Sequence, residues 1–152
     1  MAATHGILNP RAGAAHFTLD RVAPSPALAP LVDRYWLIRW DLAESPPFAQ
    51  ETLPHPCVNV VFGTHRPGVF GVGVNRFVAE LEGRGWVVGV KFRPGAFFPF
   101  YGRDVSELTG AERSIASVFG EDGTELERRV HPPHGDASTV DLVQRFLLAR
   151  NV

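Results

Sequence analysis

The sequence is poor in cysteine and in long apolar runs, and each shortage excludes a class of protein. Cys57 is the one cysteine, which excludes an intramolecular disulfide and a cysteine-rich zinc site. No run approaches the roughly 20 apolar residues that a membrane-spanning helix needs. Polar residues and Pro10 interrupt the first residues, where a signal peptide would be apolar. The expectation is therefore a cytoplasmic protein with no membrane contact.

Excess positive charge is also lacking. The formal net charge is −1, and arginines are scattered singly among acidic residues. A domain that binds DNA usually carries a basic excess, because neutralising phosphates supplies much of its affinity. The sequence therefore predicts that this chain by itself is a poor nucleic-acid binder.

The composition that is present suits one globular domain. Hydrophobic residues make up 45% and charged residues 20% of the 152 residues, which is ordinary globular usage and excludes a disordered tail. We divide the chain into a loose leader over 1–16, a β-rich domain with trailing helices over 17–130, a proline-rich linker over 131–135, and a final helix over 136–152.

Alternation of apolar and polar residues predicts short strands in the first two thirds of the chain. Over 34–41, Trp36, Ile38 and Trp40 share one face of a strand. Further strands are expected at 48–53, 57–62, 69–73, 76–81 and 86–92. Glycine and proline separate these segments, and residues 82–85 are predicted to form a hairpin turn.

After Pro94, the spacing of apolar residues becomes typical of helices. Short helices are predicted over 96–101 and 104–108, and longer ones over 111–119, 122–130 and 137–150. Three phenylalanines are expected to fold back as a lid over one end of the strands, namely Phe97, Phe98 and Phe100. The predicted fold class is α+β, a β-barrel or sandwich of about six or more short strands followed by C-terminal helices.

Candidate catalytic chemistry is sparse. A metal site in a small β-barrel needs histidines and carboxylates that converge from neighbouring strands, and none of the six histidines forms a His-x-His pair within a predicted strand. Cys57 opens an apolar strand without an evident base, which favours packing over nucleophilic catalysis. Glycine-rich phosphate loops and a Gly-x-Ser-x-Gly elbow are missing. We predict no enzyme activity, no metal and no cofactor.

The strand faces mix aromatic and polar residues, as small-molecule sites do. The candidate ligand-binding residues are Trp36, Trp40, His55, Asn59, Arg76, Trp86 and Lys91. A competing interpretation stays open, because tryptophans on strands are usually core residues and charged residues on strands usually face solvent. An apolar stripe on the last helix is a candidate dimerisation surface, formed by Val140, Val143, Phe146 and Leu147.

Several stretches resemble the N-terminal domain of a subgroup of AraC-type bacterial transcription regulators. They are Arg34-Tyr35-Trp36 with Arg39-Trp40, the segments 51–62 and 89–97, Phe100-Tyr101-Gly102-Arg103 with Ser106-Glu107-Leu108-Thr109, and Val118-Phe119-Gly120. The resemblance implies a cupin-like β-barrel, a sensory or dimerisation role, and a helix-turn-helix module after the final helix. That module is missing from the sequence. We expect DNA to be contacted only through the missing helix-turn-helix module, and not through this chain.

Three hypotheses remain open from the sequence. The first is a domain that senses an unknown small-molecule effector and transmits its binding through the C-terminal helices to a DNA-binding module. The second is a homodimerisation module without an effector. The third is a cupin-type enzyme acting on a small molecule.

Overall fold

The computed structural model describes residues 17–42, 44, 46–52, 56–73, 77–130 and 136–150. Within these residues the chain forms eight strands, which we number in chain order: β1 Phe17–Val22, β2 Val32–Leu42, β3 Phe48–Thr52, β4 Asn59–Gly63, β5 Gly68–Phe70, β6 Phe77–Leu81, β7 Gly83–Phe92 and β8 Glu112–Arg113. The longest, β2 and β7, are rich in the β-branched and aromatic residues that favour extended backbone.

Six of the strands form one antiparallel sheet in the order β1-β2-β7-β4-β5-β8. The other two, β3 and β6, pair only with each other and form a separate ribbon. A closed barrel requires the two edge strands of a sheet to pair, whereas β1 and β8 lie at opposite edges of this one. The predicted α+β class is confirmed in its sandwich form, and the expectation of a barrel is wrong.

In the described part of the chain, three α-helices and one short 3₁₀-helix follow β7, and β8 lies between the 3₁₀-helix and the second α-helix. The helices are α1 Phe98–Tyr101, the 3₁₀-helix Val105–Leu108, α2 Ile115–Arg129 and α3 Asp136–Arg150. Ser114 caps α2, since its side chain accepts a hydrogen bond of 3.1 Å from the Ser117 amide. Gly120 has φ 70° and ψ −151°, which interrupts α2 close to the break that the sequence predicts between two helices.

The large sheet buries both of its faces. Its helix face contributes Tyr35, Leu37, Val60, Phe62, Val88 and Val90 to the main core, together with apolar residues of the three helices. Its opposite face, which we call the ribbon face, carries Trp36, Ile38, Trp40, Val61 and Val87 and packs against Phe48 and Leu81 of the ribbon. The ribbon thus covers one side of the sheet while the helices cover the other.

The expected phenylalanine lid is correct for two of its three members. The ring centroids of Phe97 and Phe100 lie 4.8 and 5.3 Å from that of Phe92, and both side chains are buried in the main core. Phe98 is 56% exposed, because it occupies the outer side of the one-turn helix α1. The two buried rings close the end of the helix face.

The predicted hairpin turn over 82–85 is wrong, because β6 pairs with β3 whereas β7 pairs with β2 and β4. Glu82 alone separates β6 from β7, and residues 83–85 already pair with β2 as part of β7. Gly83 adopts φ 62°, a backbone conformation that favours glycine, at the point where the chain passes from the ribbon into the large sheet.

Candidate functional site

The register of the large sheet brings polar and aromatic residues together on the ribbon face. Directly paired residues of antiparallel strands project from the same face. One row runs across four strands through Arg21, Trp36, Gly89 and Val61. The adjacent row runs through Arg34, Lys91, Asn59 and Phe70. The two rows therefore place cationic groups beside an indole and an amide.

Trp36 reaches across a neighbouring strand. Its Nε1 donates a hydrogen bond of 3.1 Å to Oδ1 of Asn59, although β2 and β4 are separated by β7. The indole crosses β7 at Gly89, where an added Cβ would lie 1.9 Å from the indole ring. The glycine thus provides the space in which the ring lies flat on the sheet, and Asn59 fixes its orientation.

Trp40 lies four residues after Trp36 on β2 and repeats this arrangement, but its ring is buried. Its ring lies over Gly85, where an added Cβ would lie 2.2 Å away. Its Nε1 donates a hydrogen bond of 3.2 Å to the carbonyl oxygen of Glu82, and the residue is only 7% exposed. We therefore assign Trp40 to the core between sheet and ribbon, and the accessible part of the site to Trp36.

A cluster of cations surrounds Asp33 next to Trp36. Asp33 is the extra residue of an irregularity in the pairing of β2 with β7. Its carboxylate lies 2.8 Å from Nε of Arg34, 3.8 Å from Nζ of Lys91 and 3.8 Å from a guanidinium nitrogen of Arg93. Burial opposes ionisation of Asp33, but the Arg34 hydrogen bond and the three positive charges together lower its pKa.

Arg21 adds a further positive charge from the edge strand β1. Its Nη1 is buried and has no hydrogen-bond partner among the residues that the structure describes. Burial, and then the like charge of Arg34, lower the pKa of its guanidinium. A desolvated donor without a partner is unfavourable unless another group accepts its hydrogen bond.

Cys57 lies close enough to the cluster to sense its charges but is not set up as a nucleophile. The residue is 7% exposed, and burial raises the pKa of its thiol. The nearby Lys91 opposes that rise and Asp33 reinforces it. The thiol is therefore held in its neutral form, which agrees with the packing role that the sequence predicts.

The structure brings four of the seven predicted ligand-binding residues to one face. They are Trp36, Trp40, Asn59 and Lys91. Trp86 belongs to the main core on the helix face, where Thr64 Oγ1 accepts a 3.0 Å hydrogen bond from its amide. His55 and Arg76 lie outside the described residues. Four cluster members were not predicted as site residues, namely Arg21, Asp33, Arg34 and Arg93. Arg34 was detectable, because it has the same alternation as Trp36.

The predicted dimerisation stripe packs within its own chain. Val140, Val143 and Leu147 are at most 4% exposed and belong to the main core. Phe146 meets Phe119 of α2 edge to face, with centroids 5.3 Å apart. Helix α3 thus uses this stripe to cover the domain, and a dimer would need another surface.

Two further findings concern the part of the chain that the structure describes. No group of three or more His, Cys, Asp and Glu side chains is arranged there to hold a metal ion. No helix there has the length and apolar character required to cross a bilayer.

Residues 20–114 match a family described as a domain of unknown function, DUF6597. This segment is more than half of the chain, and the chain belongs to that family. The matched segment contains the whole ribbon face from Arg21 onwards and ends just before α2. No curated protein and no solved structure matches the chain significantly.

Proposed function

We propose that this member of DUF6597 is the small-molecule-sensing domain of an AraC-type transcription regulator. The observation that carries the proposal is the partly exposed indole of Trp36, oriented by Asn59 and bordered by charged groups on a sheet face that is otherwise apolar. Binding sites commonly combine an apolar wall with a few fixed polar groups. The resemblance of segments 51–62 and 89–97 to regulator sensor domains supplies the regulatory part of the proposal.

A hydrogen-bonded segment joins this site to the last helix, as a sensor requires. Residues 25–31 connect to α3 through the Ser25 amide, which donates a 2.6 Å hydrogen bond to Oε1 of Gln144. The same segment is also bonded to the cation cluster, because Nε of Arg93 donates a 2.7 Å hydrogen bond to the Ala29 carbonyl. A ligand that shifts the cluster would therefore shift a segment bonded to α3.

The three tryptophan indoles allow a direct test of the binding site. In ¹H–¹⁵N spectra of the chain, a ligand from a metabolite panel should move the Nε1–H resonance of Trp36, which the Trp36→Phe variant identifies. The resonance of Trp86, on the opposite face, serves as the internal control. If no compound moves the Trp36 signal, or if both signals move alike, the site is not where we place it.

A separate experiment tests whether ligand binding is transmitted from the site to α3. Bound ligand should slow amide hydrogen exchange in α3, and Gln144→Ala should reduce that effect while ligand affinity stays within a factor of about two. The neighbouring Arg145→Ala is the matched control, because Arg145 pairs with the exposed Asp141 of the same helix. Equal slowing in the Gln144→Ala chain would contradict transmission through residues 25–31.

A further inference from the structure

We infer that Asn59 selects the ligand of the site beside Trp36, by donating a hydrogen bond from its side-chain nitrogen Nδ2 to a carbonyl oxygen. This inference rests on the proposed binding function and specifies its ligand class, a planar apolar compound that carries a carbonyl group. It starts from the hydrogen bond between the Trp36 indole and the Asn59 amide, which engages only the oxygen of that amide.

The indole determines which way the Asn59 amide points. An indole N–H can donate a hydrogen bond but cannot accept one, so the amide atom 3.1 Å from Nε1 of Trp36 has to be the oxygen Oδ1. Nδ2 is therefore the atom of the amide that the indole leaves unengaged. Turning the amide over would set its N–H donors against the indole N–H, so the position of the Nδ2 donor is fixed.

A ligand can reach this donor. Asn59 is half-buried, and its Nδ2 keeps surface that solvent can reach. Among the described residues, the side chain of Asn59 makes one hydrogen bond, through Oδ1. A ligand that displaces water from such a donor keeps its affinity only if it supplies an acceptor in return. The fixed Nδ2 donor therefore discriminates between ligands with and without a carbonyl oxygen.

Two aromatic residues adjoin the Asn59 amide on the ribbon face. Trp36 bonds to its oxygen, and Phe70 of β5 is paired directly with Asn59. Each ring adjoins a glycine: the indole lies over Gly89, and Cε2 of Phe70 would lie 3.7 Å from a Cβ added at Gly68. Both aromatic residues are half-buried, so each presents part of an apolar surface. A planar apolar body would pack against these rings with its carbonyl oxygen directed to Nδ2.

The test compares two probes of the same shape, acetophenone and α-methylstyrene. They differ only in that the second has a C=CH₂ group where the first has C=O. Both are titrated against the Trp36 indole resonance. Because the hydrocarbon is also the more hydrophobic probe, the deciding quantity is the ratio of the acetophenone affinity to the α-methylstyrene affinity, and how that ratio changes between variants of the chain.

Asn59→Asp removes the donor and keeps the shape of the side chain. The carboxylate still accepts the Trp36 hydrogen bond, but the atom that replaces Nδ2 is an acceptor and repels a carbonyl oxygen. The affinity ratio should therefore fall about tenfold, while the indole resonance of the free chain stays that of a hydrogen-bonded N–H. Arg84→Gln is the control for the same change of net charge, because Arg84 is 74% exposed and pairs with Asp41 at the other end of β2.

Asn59→Leu is a second variant of similar size, which removes the donor without adding a charge. It should lower the same affinity ratio about three- to tenfold, the effect expected for one hydrogen bond. If the ratio is unchanged in both Asn59 variants, the site binds small molecules but Asn59 does not select them. In that case the inference is wrong and the proposed function stands.

If neither probe binds, the compounds of the metabolite panel that move the Trp36 signal are measured with the unchanged chain and with Asn59→Asp. Carbonyl compounds that lose affinity in the variant support the inference. Carbonyl compounds that keep their affinity overturn it, as does a set of binders without carbonyl groups. If no compound moves the Trp36 signal, the proposed function fails and the inference fails with it.

Discussion

The indole of Trp36 bonds to the side-chain amide of Asn59 across an intervening strand, which it crosses at Gly89. A side chain that spans three strands in this way depends on one missing Cβ. The arrangement therefore makes a small set of residues decisive for the candidate site, and each can be changed singly.

Gly89→Ala should displace the indole of Trp36. The added methyl group would lie 1.9 Å from the ring, so the ring has to move and lose its 3.1 Å hydrogen bond to Asn59. We expect a loss of about 1–3 kcal/mol in the free energy of unfolding, as for other overpacked sites. Chemical denaturation measures the loss, and the Trp36 indole resonance should shift at the same time.

The double variant Trp36→Val, Gly89→Ala is the control for this effect. Without the indole the added methyl group has space, so the cost of Gly89→Ala should largely disappear in the Trp36→Val background. An equal cost in both backgrounds would mean that the glycine is needed for its backbone and not for the ring.

Tyr35→Phe should leave the domain as stable as before or stabilise it. Tyr35 is fully buried on the helix face, and its hydroxyl has no hydrogen-bond partner among the described residues. Burial raises the pKa of that hydroxyl, so the group stays neutral at all ordinary pH values. Removing an unpaired buried hydroxyl should change the unfolding free energy by between zero and about +1 kcal/mol. A loss above about 1 kcal/mol would show that a bound water satisfies the hydroxyl.

Asp33 should make stability depend on pH in the acidic range. Its pKa is lowered in the folded chain, so its contribution is complete above the unfolded value of about 3.9 and is lost as pH falls through the folded value. At pH 7, Asp33→Asn should cost about 0.5–1 kcal/mol, because the cluster is partly exposed. The two chains should converge in stability as the pH falls through that lowered folded-state pKa.

Asp41→Asn is the matched control for the pH experiment. Asp41 lies on the same strand, but its side chain is 63% exposed and its partner Arg84 is 74% exposed. Its replacement should change stability by less than about 0.5 kcal/mol at any pH tested. A pH-independent difference between the Asp33→Asn chain and the unchanged chain would contradict the role we give to the Asp33 charge.

Two adjacent leucines on α3 distinguish a core role from a dimer interface. Leu147 is 3% exposed and Leu148 is 42% exposed. Leu147→Ala should cost about 2–5 kcal/mol of unfolding free energy, whereas Leu148→Ala should cost less than about 1 kcal/mol. Sedimentation should show the same oligomeric state for Leu147→Ala as for the unchanged chain; dissociation without destabilisation would restore the dimerisation interpretation.

The strands that carry the site were predictable because their alternation is strong. Trp36, Ile38 and Trp40 were assigned correctly to one face, and the segments around β3 to β7 were located within a few residues. The edge strands β1 and β8 were missed. β8 is two residues long, too short to show a pattern, and β1 follows the leader without a turn signal that would separate the two.

The cation cluster could not be predicted from the sequence. Arg21 and Lys91 are 70 positions apart by their numbers, and only the order β1-β2-β7 brings their rows together. Asp33 joins them because of a local irregularity between Val32 and Arg34, which no periodicity reveals. The stripe on α3 was correctly identified as apolar, but its spacing could not tell a partner chain from the chain's own core.

The pairing of two indoles with two glycines also bears on how the chain finds its fold. Trp36 lies opposite Gly89 and Trp40 lies opposite Gly85, so both rings find space only in one alignment of β2 with β7. A slip of two residues would set Trp36 against Val87 or Lys91, where a side chain already occupies the space. Misaligned pairings of β2 with β7 would thus be sterically unfavourable, and four residues favour the correct alignment of these two central strands.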